Sequence, residues 1–324
     1  MQQYDFDQVI DRTGTDSYKW DMRAKLFERE DVLPMWVADM DFQAPPEVIG
    51  ALVKRAEHGI FGYSAPSKRY HDAIVDWLHS RHNWKTEREW IIEAPGVVPS
   101  IALAIDGLTE PGDKILIHSP VYYPFFEVIR ANGRECIVSQ LREVDRQYKI
   151  DFDDMEQKLK SGVKIVLLCS PHNPAGGVWS RKELVQMHKL CLQYGVYVLS
   201  DEIHSDLVFE PHQHIPYASL DAEAANRSVT FIAPSKTFNL AGLHHSLMLI
   251  PNDGIRRKLT NRINRFALSS MNNFSLTAAE SAYSNGAAWL EALLQYLTQN
   301  INLALETFKN IKGIEPFKPE GTYL

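Results

Sequence analysis

Residues 163–177 read VKIVLLCSPHNPAGG, an apolar run that gives way abruptly to a turn rich in proline and glycine. A continuous apolar run bounded by turn residues is typical of a strand that is buried on both faces, as in a parallel sheet between helices. Residues 196–200 (VYVLS) and 229–233 (VTFIA) repeat this pattern, and residues 114–118 (KILIH) form a further candidate strand. The sequence therefore predicts several buried strands that end in polar turns.

Helical patterns separate these candidate strands. Residues 180–183 (SRKE) form a capping box, apolar residues follow at helical spacing, and Gly195 is a stop signal. Asp151 likewise predicts the start of a helix, and residues 277–310 form a long helical pattern that is interrupted near Gly286. The alternation of helices and buried strands predicts an α/β fold with a mostly parallel central sheet.

Composition and charge argue against several classes of protein. The chain has 324 residues, of which 45% are hydrophobic and 23% charged, as in ordinary globular proteins. The net charge of -7 and the lack of a Lys/Arg run argue against a nucleic-acid partner, and no apolar stretch reaches membrane-spanning length. Residues 1–10 are polar and acidic, so they predict neither a secretory signal nor a transit peptide. The 3 cysteines are scattered and favour a reducing, cytoplasmic setting over a disulfide framework.

Polar side chains follow three of the predicted strands. Asn173, Asp201 and Lys236 each come shortly after the end of a different strand. Ligands of open α/β sheets bind at the carboxyl ends of the strands, so we expect these groups to lie close together. Taken alone, Asp201 also fits the cap of a turn, and Lys236 also fits a solvated surface charge. A P-loop nucleotide triphosphatase is excluded because the chain has no G-x-x-x-x-G-K-[ST] loop.

The three groups in combination indicate a site for pyridoxal 5'-phosphate (PLP). This cofactor needs an amine for a Schiff base, a carboxylate that keeps its pyridine nitrogen protonated, a donor to its phenolic oxygen and a cradle for its phosphate. Lys236, Asp201 and Asn173 supply the first three. Residues 94–100 (APGVVPS) are a turn followed by an apolar helical pattern, and the first amides of that helix would point at an anion.

Four motifs narrow this prediction to a family: residues 34–42 (PMWVADMDF), 61–64 (FGYS), 200–204 (SDEIH) and 233–239 (APSKTFN). With them the chain resembles, over essentially its whole length, the fold type I PLP-dependent enzymes of the aspartate aminotransferase superfamily. More narrowly it resembles the cystathionine beta-lyases (C–S lyases) of the MalY/PatB type. The resemblance implies a large PLP-binding domain over residues 46–285, a small α+β domain from residues 1–45 and 286–324, and a homodimer with shared active sites.

The resemblance also implies roles for residues that line the cofactor. Tyr122, with Tyr123 as the neighbouring alternative, would stack on the PLP ring, and Tyr63 would reach the phosphate and substrate of the partner subunit. The remaining contacts would come from the amides of Val97 and Val98 and the Ser235 hydroxyl at the phosphate, and from the Ala38 backbone at the substrate carboxylate. Ordinary aromatic packing is the alternative interpretation of Tyr63 and Tyr122.

The chain departs from the common superfamily pattern in its pocket and near its end. His204 stands where aminotransferases often have a tyrosine, and it either bonds the cofactor or is a satisfied core histidine. His244 stands where many relatives have a phosphate-binding arginine. The family's carboxylate-binding arginine lies beyond the last residue here, and Arg262 and Arg265 are predicted to be helix-surface charges. We expect residues 313–324 to begin a strand pair, the small domain to be incomplete and substrate binding to be weakened.

These observations predict a β-lyase that releases a thiol, pyruvate and ammonia from cystathionine or other L-cysteine conjugates. Lys236 would remove the α-proton, with Asp201 stabilising the protonated ring. A class I/II aminotransferase remains open, because it would use the same lysine. A PLP-binding regulatory protein that acts through protein partners is the third hypothesis. No metal site is expected, since loop or pocket positions explain the candidate histidines better: His212, His214, His244 and His245.

Overall fold

The computed structural model describes residues 4–324 and has a seven-stranded sheet at its centre. In chain order the strands are β1 (Ile91–Ala94), β2 (Lys114–Ser119), β3 (Glu135–Gln140), β4 (Arg142–Val144), β5 (Gln147–Lys149), β6 (Val163–Cys169), β7 (Tyr197–Asp201), β8 (Ser228–Ile232) and β9 (Ser246–Leu249). The central sheet has the order β1-β9-β8-β7-β6-β2-β3, and β4 pairs with β5 separately. Within the central sheet β9 is antiparallel to both neighbours, and the other pairs are parallel. The predicted α/β class with a mostly parallel sheet is confirmed.

Helices cover both faces of this sheet. They are α1 (Arg23–Phe27), α2 (Pro46–Glu57), α3 (Lys68–His82), α4 (Val97–Leu108), α5 (Pro124–Ala131), α6 (Phe152–Leu159), α7 (Arg181–Gln193), α8 (Ala222–Asn226), α9 (Pro234–Thr237), α10 (Asp253–Arg265), α11 (Asn273–Asn285) and α12 (Ala287–Lys309). Short 3-10 helices lie at residues 88–90, 217–219 and 241–243. None of the helices in residues 4–324 combines the length and apolar character that a membrane crossing needs.

Side chains of the central strands alternate between two layers of helices. In β6, Leu167 packs in a cluster with Ile101 of α4, whereas the preceding Val166 packs in another cluster with Leu184 of α7. All four side chains are at most 1% exposed. Burial of such a side chain stabilises the fold by about 1.5–3 kcal/mol. In a strand that is buried on both faces, each of two successive side chains gains this energy. The predicted strands are therefore apolar throughout and do not alternate with polar residues.

The predicted elements agree closely with the structure. β2, β6, β7 and β8 match the predicted strands to within one residue at each end. The capping box of α7 is present, with Ser180 accepting from the Glu183 amide and the Glu183 carboxylate accepting from the Ser180 amide. Asp151 caps α6, as predicted. The long C-terminal helical pattern divides at Gly286, where a Cβ atom would clash with the Phe238 ring.

The expectation of a strand pair at residues 313–324 was wrong. The described structure has one isolated bridge there, between Val208 and Gly321. The segment instead crosses the loops that follow β6 and β7, and its backbone amides bond to single carbonyls of those loops. Gly321 N donates to Gly176 O at 3.0 Å, and Thr322 N donates to Leu207 O at 2.7 Å. Since these partners belong to two different loops, no continuous ladder forms.

One hydrophobic cluster joins distant parts of the chain. It contains Phe6 and Met40 from the N-terminal segment together with Trp289, Leu290 and Leu293 of α12. These ends therefore pack together, as a small domain made of both would require. The domain boundaries at residues 45 and 285 stay a prediction.

Candidate active site

The ends of β6, β7 and β8 bring the three key residues to one edge of the sheet. These strands are adjacent and parallel, with Cys169 opposite Asp201 and Asp201 opposite Phe231. Asp201 is the last residue of β7, while Asn173 and Lys236 lie in the segments directly after β6 and β8. The structure therefore brings together the groups that the sequence placed at three separate strand ends.

Asp201 is a buried carboxylate with little compensation from the protein. It is 4% exposed, and its Oδ1 accepts one hydrogen bond, from the Ile203 amide at 3.1 Å. Burial raises the pKa of Asp201 to about 7, with a further rise from Glu202, while the Ile203 bond and Lys236 oppose it. Burying a charged carboxylate is unfavourable unless a donor or a cation faces it. Asp201 is therefore suited to a ligand that carries a protonated nitrogen.

Lys236 projects from the short helix α9 and is partly buried. Its Nζ donates to the Ala38 carbonyl at 2.6 Å. Burial lowers the pKa of Lys236, and the negative charges of Asp39 and Asp201 partly oppose this effect. A lysine whose pKa is lowered holds a larger fraction of neutral, nucleophilic amine near neutral pH.

Tyr122 and Asn173 are tied to each other beside Asp201. The Tyr122 amide donates to the Asn173 carbonyl at 3.0 Å, and the Asn173 amide donates to the Cys169 Sγ at 3.3 Å. Burial raises the pKa of Tyr122 to about 12, and the charge of Asp201 adds to the rise. The phenol therefore stays protonated and offers a half-buried ring close to the Asp201 carboxylate. Tyr123, the alternative, is 63% exposed.

His204 is neutral and lacks a partner at one ring nitrogen. It is 3% exposed, its ring packs edge-on against Tyr323 with centroids 6.2 Å apart, and burial lowers its pKa to about 3. Its Nδ1 has no hydrogen-bond partner among residues 4–324. The unpaired nitrogen is itself buried, and within the described chain His118, His188, His214 and His245 also have one unpaired ring nitrogen, so both interpretations of His204 stay predictions.

Among residues 4–324, no side chain caps the first amides of helix α4. Its N-cap is Gly96, which provides no side-chain cap, and its first residues are Val97 and Val98. Uncapped amides at the start of a helix attract an anion, because they combine free donors with the positive end of the helix dipole. Ser235 lies in the first turn of α9 and is partly exposed. These groups have the character that a phosphate cradle requires.

The remaining predicted residues are dispersed. Tyr63 is fully exposed in this chain, and His244 is exposed with a left-handed φ of 50°. Arg262 lies on α10, where its Nε is 3.4 Å from Asp106 Oδ2, as expected of a helix-surface charge. Within residues 4–324, no cluster of three His, Cys, Asp or Glu side chains has the geometry of a metal site.

Sequence reasoning missed three residues around Ala38. Tyr323 donates from its hydroxyl to the Ala38 carbonyl at 3.3 Å, so this oxygen serves both Tyr323 and Lys236. Asp39 acts on the pKa of Lys236, and Asn239 binds the backbone of residues 40 and 42. The signal available was the pair of acids within the otherwise apolar motif at residues 34–42, which only tertiary contacts make interpretable.

Comparison with known proteins decides the family. The sequence profile described as aminotransferase class I and II matches residues 30–324, which is most of the chain. The chain belongs to this family. Among the proteins that it is similar to, the cystathionine beta-lyase PatB of Bacillus subtilis (strain 168) is 46% identical over 322 residues, covering 98% of this chain and 83% of PatB. Protein MalY of Escherichia coli (strain K12) is 36% identical over 301 residues, covering 92% of this chain and 76% of MalY.

A solved structure has the same fold. The crystal structure of cystalysin from Treponema denticola, which contains a pyridoxal 5'-phosphate cofactor, matches with a TM-score of 0.93 at 37% sequence identity. The match covers 99% of this chain and 82% of cystalysin. The architecture implied by the resemblance to fold type I enzymes is thus confirmed.

Proposed function

We propose that this chain is a PLP-dependent carbon–sulfur β-lyase that cleaves L-cystathionine and related L-cysteine conjugates. The observation that carries the proposal is the partly buried amine of Lys236 at the strand edge where buried Asp201 and the linked Tyr122–Asn173 pair meet. The name of PatB, a cystathionine beta-lyase, supports this reaction over others of the family. The overall balance is cystathionine plus water to homocysteine, pyruvate and ammonia.

The residues at the strand edge fit PLP. Asp201 would face the pyridine nitrogen, because one hydrogen bond and the charge of Lys236 compensate its buried carboxylate only in part. Lys236 would hold the cofactor through its amine, and Tyr122 would cover one face of the ring. Asn173 and His204 would face polar groups of the ring. The phosphate would lie at the first turns of α4 and α9, against the amides of Val97 and Val98 and the Ser235 hydroxyl.

The protein groups would divide the work of proton transfer. When bound, PLP supplies an electron sink for negative charge at the substrate Cα. Lys236 would take the Cα proton on Nζ, a task for which a lowered pKa is favourable. Asp201 would stabilise a proton on the pyridine nitrogen, since an ionised carboxylate favours a cation beside it. The thiol would then leave from Cβ, and the Ala38 backbone would line the substrate carboxylate.

A homodimer with shared active sites and a cytoplasmic location complete the proposal. Tyr63 is fully exposed, and its neighbours Ile60 and Phe61 are 67% and 57% exposed. Exposed apolar side chains grouped on one loop are typical of a surface that another protein covers. In such a dimer Tyr63 would reach the site of the partner subunit, as the resemblance to fold type I enzymes implies.

The lyase reaction is tested by measuring pyruvate released from L-cystathionine by the wild type and by Lys236→Ala. We expect Lys236→Ala to lose nearly all activity, and Lys258→Ala, an exposed lysine on α10, to retain it. Pyruvate release that does not depend on Lys236 would refute the mechanism. Amino transfer to an added 2-oxo acid without pyruvate would establish the aminotransferase alternative. Cofactor binding with neither activity would favour a regulatory protein.

Shared sites are tested by mixing two inactive variants. Lys236→Ala and Tyr63→Ala would each be inactive as homodimers. A mixed dimer would carry both changes in one site and neither in the other, so activity would return on subunit exchange. If Tyr63 acted in its own subunit, no mixture would recover activity.

A further inference from the structure

Residues 38–42 (ADMDF) form a short segment that lies against the candidate catalytic lysine; we refer to it as the 38–42 segment. Its first carbonyl, that of Ala38, accepts from Lys236 Nζ at 2.6 Å and from the Tyr323 hydroxyl at 3.3 Å. The segment has no helix or strand structure of its own, so side-chain contacts must hold it. Such contacts come from two directions.

Basic residues near the N-terminus hold the segment on one side. Arg12 donates to Asp39 Oδ2 at 2.6 Å, to Asp41 Oδ1 at 2.7 Å and to the Met40 carbonyl at 3.1 Å. Lys19 Nζ, which is largely buried, donates to the Asp39 carbonyl at 2.9 Å and to Asp41 Oδ2 at 3.0 Å. Two cations thus bond both carboxylates and two backbone carbonyls of the segment.

Asn239 holds the segment on the other side. Its Oδ1 accepts from the Met40 amide at 3.0 Å, and its Nδ2 donates to the carbonyls of Met40 and Phe42 at 2.9 and 2.8 Å. Asn239 follows Lys236 by three residues, on the same turn of chain. Its backbone is left-handed, with φ of 57°, a conformation that asparagine tolerates better than most residues. The turn that carries the lysine is therefore tied to the segment that carries the accepting carbonyl.

We propose that Arg12 and Asn239 are positioning residues for Lys236, which clamp the 38–42 segment from both sides so that the Ala38 carbonyl orients the lysine amine whenever that amine is free. This inference rests on the proposed function in that Lys236 is the group that moves the Cα proton. Neither residue contacts Lys236 itself through its side chain; each acts through the backbone of the segment.

The arrangement suits a mobile amine in a buried site. A four-carbon side chain that is not otherwise held has several rotamers, and a proton acceptor displaced by about 1 Å can cost roughly 100-fold in rate. The charges that act on the pKa of Lys236 are Asp39 and Asp201. The nearby His204 is neutral, because burial lowers its pKa to about 3, and burial raises the pKa of Tyr323, which therefore keeps its proton. Asp39 is itself held in place by Arg12.

Two variants would weaken the clamp, one from each side. Asn239→Gly deletes all three side-chain bonds, while glycine accepts the left-handed backbone without strain. Arg12→Gln removes one of the two cations from the other side and leaves the Lys19 bonds to Asp39 and Asp41 in place. Asn239→Asp is an intermediate variant, since its carboxylate can still accept from the Met40 amide but cannot donate to the two carbonyls and repels them. The matched control is Arg29→Gln, which breaks an ion pair with Asp31 that is 66% and 70% exposed.

The variants would be compared as holoenzymes by hydrogen–deuterium exchange and by steady-state kinetics, after thermal unfolding has shown that they fold. We expect faster exchange at the Met40 amide in Asn239→Gly and Arg12→Gln, and a smaller increase in Asn239→Asp, which keeps one of the three bonds. In Asn239→Gly and Arg12→Gln we expect kcat to fall about 10- to 100-fold and KM to change less than about threefold. The defect would lie in proton transfer and not in substrate binding. Arg29→Gln should match the wild type in both measurements.

Two results would overturn the proposal that Arg12 and Asn239 position Lys236. One is unchanged exchange in both variants, which would mean that other contacts hold the segment. The other is faster exchange with kcat within about twofold of the wild type, or a loss confined to KM. If the wild type releases no pyruvate from cystathionine, the proposed reaction fails separately. The same comparison of kcat would then use amino transfer, which requires the same lysine.

Discussion

Replacement of Asp201 by asparagine should stabilise the protein in the absence of PLP at high pH and yet abolish its chemistry. The carboxylate is 4% exposed, and burial raises its pKa from 3.8 to about 7. An acid whose pKa is raised by folding contributes stability when it is protonated, below the pKa of the unfolded chain. That contribution is lost as the pH rises through the folded pKa near 7. Asparagine has the same shape and no charge, so it escapes this loss.

The magnitude follows from the size of the shift. A shift of one pKa unit corresponds to about 1.4 kcal/mol, so the change from 3.8 to about 7 amounts to roughly 4 kcal/mol between the acidic and alkaline limits. Part of this loss in the free energy of unfolding has already occurred at pH 5, where Asp201 is mostly ionised in the unfolded chain. Between about pH 5 and pH 8 the wild type should therefore lose roughly 2–3 kcal/mol relative to Asp201→Asn.

The assay is urea unfolding of both proteins, stripped of cofactor, at the two pH values. The comparison uses only the change in the free energy of unfolding between the two pH values. Any effect of the substitution that does not depend on pH therefore cancels. Equal pH dependence in the two proteins would show that Asp201 is not a buried, uncompensated carboxylate. Added PLP should reverse the stability difference between the two proteins at the higher pH, because a protonated pyridine nitrogen would stabilise the ionised carboxylate of the wild type. Pyruvate release by Asp201→Asn should fall severely.

Two further predictions concern the packing that supports the site. Gly286→Ala places a methyl group against the Phe238 ring and the Ala282 carbonyl at the α11–α12 junction, so we expect a loss of about 1–3 kcal/mol in the free energy of unfolding; an unchanged thermal midpoint would contradict it. Leu290→Ala removes a fully buried side chain from the cluster that joins α12 to the N-terminal segment, and denaturant unfolding should show a loss of about 2–5 kcal/mol. Leu303→Ala, at a 68% exposed position on the same helix, is the control and should change stability little.

The sequence was sufficient for the elements whose signals are local. An unbroken apolar run such as residues 163–169 specifies a strand buried on both faces, and a capping box such as Ser180–Glu183 specifies where a helix begins. Such signals depend on neighbours within a few residues. Residues 313–324 show where this approach fails: their backbone partners lie in loops more than a hundred residues earlier in the chain, and the predicted strand pair is absent from the described structure.

The chemistry of the site divides in the same way. Lys236, Asp201 and Asn173 could be found from the sequence, because each follows a predicted strand and parallel strands bring their carboxyl ends to one edge. Asn239 and Arg12 could not, because their significance lies in contacts that span about 200 and 28 residues of chain. Only tertiary structure decides which backbone carbonyl receives the Lys236 amine and which side chains hold that carbonyl in place. Local patterns thus determined which groups meet at the sheet edge, whereas long-range packing decided their pKa values and their orientation.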